Sequence, residues 1–122
     1  AKLQDAVLVG ANLRTAELEA ADLRGADFTN AQMDRANLRL ADLSGATLFE
    51  ARLDRADFEG AVLRDANLSR ADLRRADFRG ADLSYADLSR ANLRGAMFNQ
   101  QTVFPVNLPA QQAQSRGMVY RP

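Results

Sequence analysis

The chain has 122 residues, 47% of them apolar, and its 16 basic and 16 acidic side chains leave no net charge. It contains no cysteine and no histidine, which removes disulfides, thiolate nucleophiles, zinc-type ligand sets and the usual general base. No stretch is long and apolar enough to cross a bilayer, no basic-plus-apolar signal is visible, and a balanced charge without interleaved aromatics argues against nucleic acid as the partner.

From Ala1 to Ala96 every fifth residue is alanine, and two residues after each alanine stands Leu, Phe or Met. The unit is A-(D/N)-L-x-x, as in Ala21-Asp22-Leu23-Arg24-Gly25 and Ala81-Asp82-Leu83-Ser84-Tyr85. A helix turning ~100° per residue would move each Leu by ~140° per unit and end up apolar all round. A straight strand fails as well, because an odd step of five sends successive Leu side chains to opposite faces. The chain must therefore bend once per unit. Alanine and leucine, two apart, point inward together, and the residues between and after them point out or form the bend.

Phe58, Phe78 and Phe98 recur at intervals of twenty, as do Gly25 with Gly45 and Gly60 with Gly80, so four units make one coil and about 100 residues make five. Phe28 stands outside that column. These repeats closely resemble the pentapeptide-repeat proteins. The resemblance implies an all-β fold, a right-handed quadrilateral parallel β-helix of about five coils over residues 1–100. In such a coil the first inward residue must be small and the second must fill the axis, which assigns Leu23, Leu43, Leu63, Leu83, Phe58, Phe78 and Phe98 to the core. The Asp or Asn between them is suited to accept backbone N–H groups at the corners, as at Asp22, Asn37, Asp57, Asn67, Asp72 and Asn92. Glycines such as Gly60 and Gly80 end units where the bend best tolerates positive φ.

After Ala96-Met97-Phe98 the alanines stop. Residues 101–122 read as a C-terminal capping segment. Gln101-Thr102-Val103 and Val106-Asn107-Leu108 are expected to keep the spacing, and Ala110 to Ser115 to form a short helix behind Pro109. Phe104, Val106, Leu108, Met118, Val119 and Tyr120 supply apolar cover for the end of the core. Thr102-Val103-Phe104-Pro105 and Gly117-Met118-Val119 look similar to endings of cyanobacterial members of the family. Ala1 enters in phase with the repeat and no initiator Met is present, which reads as a cut or processed chain with an open first coil.

Carboxylate pairs such as Asp54 with Asp57 lie on the convex surface of a filled rod, so neither catalysis, a metal nor a cofactor is expected. Sorting the charges by side of the square gives more. The side built from residues 11–15, 31–35, 51–55, 71–75 and 91–95 carries Arg14, Arg35, Arg52, Arg55, Arg74, Arg75 and Arg94 against Asp34, Asp54 and Asp72. The following side carries Glu17, Glu19, Asp57, Glu59 and Asp77 against Arg39 and Arg79. Guanidinium groups repeating every ~4.8 Å suit an extended anionic partner, and the surface of an acidic protein is the leading candidate. The competing reading is that these arginines pair with aspartates of adjacent coils and only solvate the rod. Val7, Val9 and Phe49 share another side and form a candidate apolar contact, with a homodimer through the open end as one way to cover it.

The resemblance implies two functional classes. Most members are binding or scaffold modules without catalysis. A subset protects or inhibits DNA gyrase by presenting a strongly negative rod that mimics duplex DNA, and the zero net charge and basic side of this chain set it apart from that subset.

Overall fold

The computed structural model describes residues 1–122, and its organising element is a single parallel bridge repeated down each side of a square coil. The bridges join residues twenty apart, from Lys2 with Asp22 to Asp77 with Met97. Each side contributes three rungs. Leu43 N–H donates to the Val62 carbonyl (2.7 Å), Val62 N–H donates back to the Ala41 carbonyl (2.9 Å), and Arg55 N–H donates to the Arg74 carbonyl (2.9 Å). The four sides begin at residues 1, 6, 11 and 16 of the first coil and are numbered 1 to 4 here. Five coils stacked at ~4.8 Å give the right-handed quadrilateral β-helix, a rod on the order of 25 Å long.

Each corner is a four-residue turn from one Leu to the next Ala, closed by an Ala N–H to Leu carbonyl bond such as Ala56 to Leu53 (3.0 Å). Its third residue has positive φ, as in a type II turn. Glycine serves at Gly60 (φ 69°) and Gly80 (φ 71°), yet Arg35, Arg55, Arg75, Leu40 and Tyr85 hold φ of 59° to 62° in equivalent places. The corner conformation is thus imposed by the ladder and not licensed by glycine alone. Where a unit carries Asp or Asn after its alanine, that side chain accepts the N–H two residues on, as in Ser84 to Asp82 (2.9 Å) and Ser69 to Asn67 (3.0 Å). Where Ser or Thr follows, its hydroxyl donates to the same oxygen, at 2.6 Å for Thr29 to Asp27.

The interior is one apolar column. Leu23, Leu43, Leu63 and Leu83 line side 1, and Phe58, Phe78 and Phe98 line side 4, all of them buried. Phe58 and Phe78 stack with ring centroids 5.0 Å apart and planes within 4°. Phe28 is equally buried on side 2, where Leu fills the same position in the other coils. Leu3, Leu8 and Leu13 of the first coil are only partly buried.

Below the fifth coil the register slips. Val103 pairs with Asp82, twenty-one residues back, and exchanges bonds with Leu83 N–H and the Ala81 carbonyl. The extra residue is absorbed in the turn at Asn99–Thr102, where the Thr102 hydroxyl donates to the Phe78 carbonyl (2.8 Å) and Asn99 Oδ1 accepts Gly80 N–H (3.0 Å). Gln101-Thr102-Val103 therefore does not keep the repeat spacing: Val103 takes the outward place and is 47% exposed, and Phe104 turns in against Phe98. Helix α1 (Ala110–Ser115) follows Pro109 and buries Ala113. Strand β1 (Met97–Phe98) pairs in parallel with strand β2 (Val119–Tyr120), which restores the ladder on side 4. Leu108 and Met118 are buried, whereas Val106 is 92% exposed and covers nothing. Arg116 donates to the Leu88 and Ala91 carbonyls at 3.1 and 2.6 Å, at Ala91 replacing the donor that a sixth coil would have supplied.

Phe78→Ala removes one ring of the stack and is expected to cost about 3–5 kcal/mol in chemical denaturation. Phe78→Leu is expected to cost under about 1.5 kcal/mol, because Leu38 already fills the same column. The turn aspartates set the acid limb. Hydrogen bonds from Thr29 lower Asp27 and those from Ser89 lower Asp87, so their stabilisation is present at neutral pH and is lost as pH falls through their depressed folded values. Asp27→Asn with Asp87→Asn keeps the acceptor and removes the titration. Thermal unfolding followed against pH should show a lower neutral midpoint and a shallower fall below about pH 4.

Candidate functional site

Side 3 brings all seven of its arginines onto one surface, because every side-3 unit lies above another at the ladder spacing. Arg35, Arg55 and Arg75 occupy the same corner position in successive coils, with Gly95 ending the column. The three aspartates of this side are each taken. Arg74 forms a two-pronged pair with Asp72, Nε to Oδ1 at 2.8 Å and Nη2 to Oδ2 at 2.7 Å. Arg75 reaches up one coil to Asp54 at 3.2 Å, and Arg52 reaches up to Asp34 at 3.4 Å. Arg14, Arg35, Arg55 and Arg94 have no carboxylate within ion-pair distance. The pairing expected of a purely solvating surface thus accounts for three of the seven arginines.

The forked contact from Arg74 holds the Asp72 carboxyl below the usual carboxylate range. The same Asp-x-Arg arrangement recurs outside this side. Arg24 clamps Asp22 and lowers it to about 2. Burial of Asp77 opposes its ionisation, but the two-pronged contact from Arg79 outweighs this and lowers it. The spacing of Asp two residues before Arg in one unit was a readable signal for these pairs.

Side 4 gathers Asp57, Glu59 and Asp77, whose oxygens lie within 4.8 Å of one another. Arg39 pairs with Glu59 and Arg79 with Asp77, which leaves Asp57 the carboxylate of the three without an ion-pair partner. Burial, together with the neighbouring Asp77 charge, pushes Asp57 up. Glu17 accepts a bond from Asn37 (2.8 Å) one coil below.

Val7 and Val9 are 78% and 53% exposed on side 2. Phe49 lies on the same side but is only half-buried, and Thr29 stands between it and Val9, so the three do not form one patch. Tyr85 is exposed at a side-1 corner with the Arg64 guanidinium 5.5 Å above its ring. No helix is long and apolar enough to cross a membrane.

One feature of side 3 is absent from the linear pattern. Arg74, Arg75, Asn92, Arg94 and Gly95 line an open cleft of about 360 Å³. The cue lies in Gly95, which interrupts a corner column otherwise occupied by Arg35, Arg55 and Arg75.

The model of the family described as pentapeptide repeats matches residues 1–39, 41–80 and 71–100, with eight copies. Among solved structures, the chain is similar to a pentapeptide repeat protein of the Arabidopsis thaliana thylakoid lumen, with 38% identity and a TM-score of 0.71 over 72% of this chain. It spans 61% of that protein's length. A pentapeptide repeat protein from Nostoc PCC 7120 matches at 32% identity and a TM-score of 0.51, over 94% of this chain and 84% of its own. The fluoroquinolone resistance protein QnrB1 matches at 16% identity and a TM-score of 0.49, over 75% of this chain and 59% of its own, a likeness that carries no functional argument. No curated protein matches. With the alanine register, the four-sided ladder and the family match all covering residues 1–100, the chain belongs to the pentapeptide repeat family.

Proposed function

We propose that the chain is a non-catalytic binding scaffold whose side 3 engages an acidic protein surface. The observation that carries this reading is the set of four unpaired arginines, Arg14, Arg35, Arg55 and Arg94, distributed from the first coil to the fifth on one face. A solvating surface would leave guanidinium and carboxylate groups matched. Here the carboxylates run out, and the remaining forks are free to take carboxylates from outside. The ladder fixes the backbone positions of these groups in line without a partner, so binding has to order only the side chains. The neighbouring acidic side sets a sharp charge boundary and favours one orientation of the partner.

The four unpaired arginines are the proper targets, since changing Arg52, Arg74 or Arg75 would also strand an aspartate. Fluorescence anisotropy with a labelled polyglutamate peptide should show binding that weakens as salt rises. The quadruple variant Arg14→Gln, Arg35→Gln, Arg55→Gln, Arg94→Gln should lose at least about fourfold in affinity, taking roughly 0.2–1 kcal/mol for each exposed pair. Arg70→Gln with Arg90→Gln on side 2 serves as the control and should change little. Equal binding by the quadruple variant and the wild type would refute side 3 as the binding face.

A further inference from the structure

The cap continues the ladder beneath three sides of the last coil and omits the fourth. On side 1 Leu83 N–H donates to the Val103 carbonyl, on side 3 Gly95 N–H donates to the Gly117 carbonyl, and on side 4 Val119 N–H donates to the Ala96 carbonyl. Beneath side 2, residues 86–90, the cap makes no backbone rung. One coil higher the same side makes all three. Asp87 N–H donates to the Ala66 carbonyl (2.9 Å), Leu68 N–H to the Asp87 carbonyl (2.8 Å) and Arg70 N–H to the Ser89 carbonyl (2.8 Å). The Ala86 carbonyl and the N–H groups of Leu88 and Arg90 hold the equivalent places in the last coil, and none of them has a backbone partner. Ala86 and Leu88 are only 4% and 5% exposed, and an unpaired polar group at such residues costs free energy that a strand beneath them would recover. Two clefts open under this side, and Asn107 borders both. One of about 490 Å³ is edged by Tyr85, Ala86, Pro105 and Val106, and one of about 200 Å³ by Leu88, Leu108 and Arg116.

We propose that side 2 of the last coil binds an extended peptide segment of a partner protein as the strand of a sixth coil, with an apolar residue in the larger cleft followed three residues later by a carboxylate at Arg90. The inference stands apart from the arginine face of side 3. Backbone groups aligned for a ladder select an extended main chain, parallel to residues 86–90 as every bridge of the rod is. By the pattern of the coil above, the guest residue under Asp87 donates its N–H to the Ala86 carbonyl and accepts Leu88 N–H, and the residue two further on accepts Arg90 N–H. The guest residue before that pair meets the cleft whose rim carries the exposed Tyr85 and Val106, an apolar setting. Charge fixes the other end. Arg70 and Arg90 stand at successive corners of side 2 with no carboxylate within ion-pair distance, so an acidic side chain leaving the ladder there finds free guanidinium groups. Asp87, whose carboxyl accepts Ser89 N–H (2.9 Å), disfavours a second carboxylate directly beneath it.

Fluorescence anisotropy with a labelled Ser-Val-Asn-Ala-Glu-Ser peptide tests the proposal and should show saturable binding. The same peptide N-methylated at its asparagine cannot donate to the Ala86 carbonyl and should bind at least about tenfold more weakly. Tyr85→Gly keeps a residue suited to the positive-φ corner and should weaken binding at least about threefold through lost apolar contact. Arg90→Gln should weaken it about two- to fivefold. Circular dichroism should show both variants folded. Hydrogen exchange followed by NMR should show the Leu88 and Arg90 amides protected in the complex. The variant Arg14→Gln, Arg35→Gln, Arg55→Gln, Arg94→Gln should bind this peptide unchanged, and polyglutamate, with no apolar side chain for the cleft, should leave the two amides unprotected. The two binding readings therefore fail separately. No saturable binding below about 1 mM, equal binding of the N-methylated peptide, or unprotected Leu88 and Arg90 amides at saturation would each overturn the site. Protection that rises with protein concentration alone would assign the edge to a second copy of the chain and overturn the peptide.

Discussion

Everything in this rod depends on the hydrogen bonds between residues twenty apart. The ladder fixes the height of each coil, and with only two inward side chains per side it leaves an interior too narrow for anything but an alanine followed by one larger apolar group. The corner follows from the same bonds. Nineteen consecutive units place their fifth residue at positive φ, thirteen of them without glycine, so the strain of an L residue there is offset by ladder and turn hydrogen bonds on either side. Stability of this kind is built from contacts between neighbouring coils, each unit supporting the next.

Once the ladder is set, the outward positions carry little structural demand beyond the positive φ of the corner residue and the Asp or Asn that braces many of the turns. They become columns whose contents are free to vary, and the rod converts sequence spacing into surface spacing. Arg35, Arg55 and Arg75 are far apart in the chain and stand one above another at a corner. The acidic residues fall on the next side by the same arithmetic. The rod presents a basic face and an acidic face joined at an edge, both carried on the same ladder.

Much of this was legible in the residues. The alanine period demanded a bend every five positions, and the Phe and Gly intervals of twenty gave the four-sided coil. The turn role of Asp27 or Asn67 was readable from its place between two inward residues. Handedness came from family resemblance and not from the period, which only requires a bend. The slip at Val103 was hidden because Thr102-Val103 mimics the repeat spacing, while the Thr102 hydroxyl and Asn99 side chain together hold a longer turn. Val106 looked like part of the cap by apolarity alone, yet Pro105 and Pro109 bracket a segment that leaves it outside. On side 3 the excess of arginine could be counted from the residues, but which ones are free depends on whether each guanidinium turns to its own unit, as Arg74 does, or to the coil above, as Arg75 does. The cleft at Arg94 needs that information and the position of Gly117, which returns from the cap twenty-three residues on.

On the proposed function, the columns, and not the individual arginines, make the binding surface. Deleting one unit, residues 61–65, tests it directly. Every position keeps its inward Ala and Leu or Phe, so the rod should remain folded with a cooperative melt, but Arg74, Arg75 and Arg94 turn onto a different side from Arg14, Arg35, Arg52 and Arg55. The account predicts that affinity for polyglutamate falls at least about fivefold in this folded variant although its free arginines are retained. Unchanged affinity, or a loss of folding from removing a single unit, would contradict it.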